Sequence, residues 1–277
     1  MRCLYREKKI YSGDYLEVEI FPVLKPPGSR GKKAKPTSDA QTLLNSNNAA
    51  KRLTRLLNTN FTADDIKCEL TYASEHLPDS DAQAARDLQN YLRRIKRFLK
   101  KQGLPELKYI TVTEKGTRSG RYHHHIVMSG GILPADVARI WGKGYVMKIQ
   151  PLQFTETGVA GIAWYMAGNK RGEITEPLFY KRWNASRNLK KPTEPPGNDY
   201  RISRKRAREM AAGIFEREAF ERLYPGYVFV DCTQYHIVIN SEDNADDEYF
   251  DNGYYLCLRF YRKEAQFCKT KKPRGTT

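Results

Sequence analysis

The stretch that decides the fold is GRYHHHIVM, residues 120–128, in which three adjacent histidines precede apolar, β-prone residues. Because alternate side chains of a strand share a face, His123 and His125 should point one way and His124 the other, with the packed apolar residues. Two imidazoles on one face can bind a metal ion if a neighbouring strand supplies an oxygen ligand. The alternative is a surface histidine cluster at a strand end, with no ligand role.

The segment before this stretch predicts the missing ligand. LKYITVTE (107–114) is a second β-prone run, and the KGTRSGR that follows has the glycines and length of a hairpin loop. An antiparallel hairpin that pairs Glu114 with His123 also pairs Val112 with His125, so the glutamate and both histidines share a face. Such a nitrogen–oxygen site suits Mg²⁺ or Mn²⁺ and leaves positions open for a phosphate.

Strands and helices alternate around this hairpin. The pattern predicts further strands at 15–23, 66–72, 142–152, 227–239 and 253–262, and helices at 38–57, 80–101, 135–141, 156–170 and 203–222. We therefore expect an α+β fold with a central antiparallel sheet of about five strands covered by helices.

Composition and linkers suggest three regions. Residues 1–60 should hold an N-terminal strand, a basic linker and a helix, and residues 61–183 the core around the histidines. Residues 184–277 should form a basic region with a helix and a hairpin, ending in a disordered tail.

The charge balance indicates a polyanionic partner. The formal net charge is +16 and the pI about 9.6. Basic residues concentrate in 86–122, with 11 basic and 3 acidic residues, and in 181–208, with 10 and 2. Aromatic residues lie among them, as in grooves for single-stranded nucleic acid. The candidate DNA contacts are Arg93, Arg94, Arg97, Lys101, Lys115, Arg118, Arg121, Lys181, Arg182 and Arg187.

Other partners and compartments are disfavoured by what the sequence lacks. No apolar run approaches the roughly 20 residues of a membrane span, and no amphipathic helix exposes large apolar residues, so we expect no membrane partner. The N-terminus MRCLYREKK lacks the apolar core of a signal peptide, which predicts a cytoplasmic protein. There is no GxxxxGK[ST] motif, so no nucleoside triphosphate is expected.

A phosphodiester reaction needs a nucleophile, and tyrosine can attack in line to give a phosphotyrosine link. Tyr165 stands out on the predicted helix 156–170, because Gly161 and Gly168 lie about one turn away and leave room for a DNA backbone. The alternative is an aromatic residue that packs against the core. Tyr145 is a rival nucleophile, with Lys148 three residues on.

The order of these features resembles the HUH endonucleases, named for a histidine–hydrophobic–histidine motif, of bacterial mobile elements and small single-stranded DNA phages. CELTY (68–72) looks like the family's first strand motif, and His123 and His125 match the metal motif, although His124 stands where a hydrophobic residue is usual. Glu114 fits the place of the family's third ligand. The resemblance covers roughly residues 40–190.

The third motif of the family is a helix with a catalytic tyrosine, followed by a lysine at the third position after it. Tyr165 fits the tyrosine, but the third position after it is Gly168. Lys170 is about 140° around a helix from Tyr165, so it could replace that lysine only if the helix ends near Gly168.

The resemblance implies a rolling-circle replication initiator. Such a protein nicks and joins single-stranded DNA at an origin or hairpin, using Mg²⁺ or Mn²⁺ and a 5′-phosphotyrosine intermediate, and host replication machinery is a possible partner. One alternative is a single-tyrosine HUH transposase or a relaxase-like protein. Another is a non-catalytic protein that binds single-stranded nucleic acid.

Overall fold

The computed structural model describes residues 4–23, 39–116, 120–170, 173–174, 182–239, 250–265 and 267. These form two compact units. The central unit comprises the described residues of Ser38–Lys191, and the terminal unit those of Met1–Thr37 and Pro192–Phe267. Of the basic and acidic residues of the sequence, 25 and 14 fall within 38–191, so most of the positive charge belongs to the central unit.

The elements follow one another in this order: β1 (Tyr5–Ser12), β2 (Tyr15–Pro22), α1 (Asp39–Asn60), β3 (Ile66–Thr71), a 3₁₀ turn (Ser74–His76), α2 (Asp81–Lys101), β4 (Tyr109–Lys115), β5 (Tyr122–Met128), α3 (Pro134–Trp141), β6 (Val146–Pro151), α4 (Ala160–Met166), β7 (Asn169–Lys170), β8 (Glu173–Ile174), β9 (Asn184–Ala185), β10 (Asn198–Ile202), α5 (Arg204–Ala211), α6 (Arg217–Leu223), β11 (Tyr227–Ile239) and β12 (Phe250–Arg262). Among the residues described, no helix has the length and apolar character needed to cross a membrane.

The central unit is built on a five-stranded antiparallel sheet of order β6-β3-β5-β4-β9. Helices α2 and α3 cover the face that carries Leu70 and Ile126, where Tyr91, Ile95 and Trp141 complete a buried core. Helix α2 starts at Ser80, whose hydroxyl accepts a hydrogen bond from the backbone N–H of Gln83. The opposite face lies beneath α4, which packs against α1.

The terminal unit contains a second five-stranded antiparallel sheet, of order β10-β1-β2-β12-β11. Its buried core includes Tyr5, Ile20, Leu258 and Phe260, with α5 and α6 packed on β12 and β11. The first and last parts of the chain therefore share one sheet. This differs from the expected three-region division, because β2 pairs with β12 and not with residues of the central unit's sheet.

The α+β class is confirmed, and two predicted helices are shorter than expected. The helix predicted at 203–222 is two helices, α5 and α6, because Gly213 between them has φ +72°. The helix predicted at 156–170 is α4, which begins after a turn at Thr155–Gly158 and ends before Gly168, at φ +85°. Strand β1 was not predicted. Its buried Glu7 breaks the apolar alternation that identifies a strand.

Candidate metal centre and active site

The β4–β5 hairpin has the predicted register. Glu114 lies opposite His123 and Val112 opposite His125, so the glutamate and both histidines share one face of the sheet. One carboxylate oxygen of Glu114, Oε2, lies 3.3 Å from Nε2 of His123 and 3.4 Å from Nε2 of His125. The three side chains thus converge on a single point through one oxygen and two nitrogens.

This group fits a divalent cation. The potential ligand atoms of Glu114, His123 and His125 all lie within 4.8 Å of one another. Their side chains are 13%, 18% and 11% exposed, which shields the site while leaving a path from solvent. Two imidazoles and a carboxylate leave coordination positions for water or a phosphate oxygen, as at metal sites that act on substrates.

His124 lies on the opposite face and is fully buried. One ring nitrogen, Nε2, is 2.8 Å from the hydroxyl of Tyr72, and the other, Nδ1, is 2.8 Å from Oγ1 of Thr113. Burial, with smaller contributions from His123 and His125, lowers the pKa of His124 to about 3. A neutral ring with both nitrogens hydrogen-bonded belongs to the core, so the packing role expected for this residue agrees with its surroundings.

Tyr165 on α4 stands over the metal-binding face. Its hydroxyl oxygen is 3.5 Å from Nε2 of His125, and the two rings meet edge to face at 5.1 Å between centroids. The side chain remains 40% exposed. A phenol oxygen is therefore held beside a potential ligand and is open to a substrate from solvent.

Helix α1 sets the position of α4. The backbone N–H of Val159, just before α4, donates a 3.1 Å hydrogen bond to Oδ1 of Asn58. Gly158 has φ +69°, and a Cβ there would come within 2.3 Å of the same oxygen. Only glycine allows this close approach, so the Asn58–Gly158 contact fixes where the helix that carries Tyr165 begins.

An open cavity of about 350 Å³ lies between α4 and the sheet, beside the histidines. It is lined by His125 and Tyr165, and also by Glu69 on β3 and Lys148 on β6, which the sequence did not single out as site residues. Glu69 faces His125 across the β3–β5 pair. The alternation in β3 could have indicated Glu69, but the position of Lys148 depends on an irregularity in β6.

The rival tyrosine and the substitute lysine are less well connected to this site. Tyr145 is 72% exposed before β6 and does not line the cavity, and its carbonyl oxygen accepts hydrogen bonds from Thr71. The helix does end before Gly168, and Lys170 lies in β7, paired with β8. The Lys170 side chain lies outside the described residues, so its role stays a prediction.

The structure does not bring the predicted DNA contacts together at the metal centre. The four on α2 (Arg93, Arg94, Arg97 and Lys101) are exposed. Helix α2 covers the His124 face, so these four lie on the opposite side of the sheet from His123 and His125. The sequence could not reveal this separation, because charge along a helix does not indicate which sheet face the helix covers.

The remaining predicted contacts are dispersed. Lys115 lies over the ring of Tyr122, 4.6 Å from its centroid, and Arg121 donates to the carbonyl of Tyr72 at 2.8 Å. Arg182 donates to the carbonyl of Ala167 at the end of α4, at 2.8 Å. Arg187 is exposed near Tyr109, at the far end of β4 from the glutamate. Arg118 and Lys181 lie outside the described residues.

Comparisons of the chain with curated proteins and with solved structures gave no match. Comparison with protein families did. The matching segment runs from β3 to β7 and includes Glu114, His123, His125 and Tyr165. Residues 66–169 match a family described as replication-associated protein ORF2, which supports a role for this segment in replication initiation.

Proposed function

We propose that the protein is a rolling-circle replication initiator that nicks and joins single-stranded DNA at an origin through a 5′-phosphotyrosine intermediate. The observation that carries this proposal is the position of the Tyr165 hydroxyl, 3.5 Å from a histidine of the Glu114–His123–His125 group. The match of residues 66–169 to a replication-associated family supports the same assignment.

The chemistry follows from the side chains. Glu114, His123 and His125 would hold Mg²⁺ or Mn²⁺, which when bound supplies Lewis acidity to a phosphate oxygen. The phenol oxygen of Tyr165 forms a bond to the scissile phosphorus and loses its proton to water, while the P–O3′ bond breaks and O3′ takes a proton from water. The 5′ end stays on Tyr165, and attack by a 3′-hydroxyl reverses the step and joins the strands.

The positive charge of the central unit would support the binding of a DNA strand, since cations that neutralise phosphates contribute most of the affinity for single strands. The exposed arginines of α2 lie on the side of the sheet away from the cavity. In this proposal they bind DNA outside the reacting nucleotide.

The proposal is tested by covalent capture. The full-length protein is incubated with Mn²⁺ and end-labelled single-stranded oligonucleotides that tile both strands of the replicon carrying the gene, and adducts are separated on a denaturing gel. We expect an adduct with the wild type and with Tyr145→Phe, and none with Tyr165→Phe or in excess EDTA. An adduct that survives in Tyr165→Phe and disappears in Tyr145→Phe would move the nucleophile to Tyr145. No adduct with any wild-type sample would overturn the proposed activity.

A further inference from the structure

We propose that Lys148 is a further catalytic residue, which binds a non-bridging oxygen of the phosphate attacked by Tyr165, and that Glu69 positions it. This inference rests on the proposed function. It concerns the side of the cavity away from the predicted metal ligands, where strands β3 and β6 meet.

An irregularity in β6 directs Lys148 into the cavity. Lys67 pairs with Gln150 and Glu69 with Met147, so β6 has one more residue than β3 between these pairs. Such a bulge changes the direction of a side chain and is common beside active sites. At this bulge Lys148 has φ +54°, and it is the only non-glycine residue with positive φ in the described part of the chain.

The backbone conformation gives no reason for a lysine at this position. Glycine or asparagine adopts a left-handed conformation at lower cost than lysine does. Strained residues of this kind are concentrated at ligand-binding and catalytic sites, where the surrounding structure holds them in place. We therefore attribute the lysine to what its side chain does.

The side chain of Lys148 points along a row of polar residues that ends at the metal centre. Its Nζ lies 3.1 Å from Oε2 of Glu69, and Glu69 is the cross-strand partner of His125. Tyr165 lines the same cavity from the α4 side. The Lys148 side chain is 65% exposed, and an ammonium group has three donors, so it can hold Glu69 and a phosphate oxygen together.

The charge balance of this face favours such a role. Glu69 and Glu114 place two carboxylates near the position that an anionic phosphodiester must enter. A cation beside the cavity offsets this repulsion and stabilises the negative charge that builds up on the phosphate during attack. Lys148 is paired with one of these carboxylates and lies beside the cavity that Tyr165 also lines.

The test uses the adduct assay under single-turnover conditions, with Mn²⁺ and saturating oligonucleotide. We expect Lys148→Gln to slow adduct formation about 10- to 100-fold with little change in DNA affinity, and Lys148→Arg to recover most of the rate. Glu69→Gln should cost less than Lys148→Gln, because it leaves the ammonium in the cavity. Lys205→Gln, on an exposed position of α5, serves as the charge-matched control.

A second variant separates catalysis from folding. Lys148→Asn suits the left-handed backbone, so we expect it to lose the same activity while its thermal midpoint stays at or above that of the wild type. Equal losses in Lys148→Gln and Glu69→Gln would mean that the ion pair is only structural, and a wild-type rate in Lys148→Gln would also overturn the assignment. Either result leaves the proposed function intact, whereas the absence of any wild-type adduct overturns the function itself.

Discussion

The hydroxyl of Tyr165 and Nε2 of His125 are 3.5 Å apart, although one residue belongs to a helix and the other to the central strand of a sheet. A candidate nucleophile and a candidate metal ligand are therefore brought together only by tertiary packing. Their relative position depends on how α4 sits over the sheet, and the contact between Asn58 and the residues before α4 determines where that helix starts.

Gly158→Ala should consequently impair the reaction without removing any reacting group. The new Cβ would lie 2.3 Å from Oδ1 of Asn58 in a left-handed conformation, so the start of α4 must shift. Small displacements of a reacting group lower rates by up to about 100-fold, and we expect a loss of that order in adduct formation. Mn²⁺ affinity, measured by calorimetry, should be unchanged, because the ligands lie on β4 and β5. A wild-type rate in this variant would show that α4 does not position the nucleophile.

Removal of a predicted ligand should act on metal binding and not on folding. We expect Glu114→Gln and His123→Ala each to weaken Mn²⁺ binding at least about tenfold, since both remove one of three converging ligand atoms. In the wild type, Mn²⁺ at 100 times its dissociation constant should add about 2.7 kcal/mol of stability, seen as a rise in thermal midpoint that these variants lose. His76→Ala, at an exposed position of the 3₁₀ turn, is the matched control and should keep the full shift.

The neighbouring histidine should show the opposite behaviour. His124→Leu removes hydrogen bonds to Tyr72 and Thr113, and the buried Tyr72 hydroxyl is left without this partner. We expect the free energy of unfolding to fall by about 3 kcal/mol in urea titrations, with Mn²⁺ affinity per folded molecule retained. A variant that unfolds normally but no longer binds Mn²⁺ would place His124 at the metal and contradict the packing role.

The sequence predicted the centre of the site because the information there is local. Strand alternation assigned the three histidines to two faces, and a short hairpin loop left few registers for Glu114. The helix with Tyr165 was also predicted, but its ends were not. Its first turn is replaced by a turn at Thr155–Gly158 that depends on the side chain of Asn58, about a hundred residues earlier in the chain.

Features that depend on distant pairing could not be predicted. The second sheet joins β2 to β12, and the buried Glu7 of β1 is explained only by Arg201 and Tyr224, which lie far along the chain. The bulge that directs Lys148 inward is defined against β3, and nothing in the local sequence marks it. Propensity and periodicity describe short segments, so they miss the contacts that each segment makes after folding.

The Glu7 network should be important to the stability of the terminal unit. Glu7 is 2% exposed and accepts hydrogen bonds from Arg201 at 2.9 Å and from the hydroxyl of Tyr224 at 2.6 Å. Burial, together with Glu7, raises the pKa of Tyr224, so the phenol stays protonated and donates. Glu7→Leu leaves a partly buried guanidinium without its carboxylate and should cost about 2–4 kcal/mol in urea denaturation. Tyr224→Phe removes one donor and should cost about 1 kcal/mol; a larger loss than in Glu7→Leu would contradict this order.

The arginines of α2 should affect DNA binding and not the chemical step. Arg93 and Arg97 are exposed and lie on the side of the sheet away from His125. If each neutralises one phosphate, the double variant Arg93→Gln/Arg97→Gln should reduce the slope of log affinity against log salt by about 1.4, since a single strand contributes roughly 0.7 per contact. Binding is measured by fluorescence anisotropy in the Tyr165→Phe background, and adduct formation at saturating DNA should stay near the wild-type rate. An unchanged slope would show that DNA does not contact this surface, and a large loss of rate at saturation would mean that α2 contributes to the reaction from the far side of the sheet.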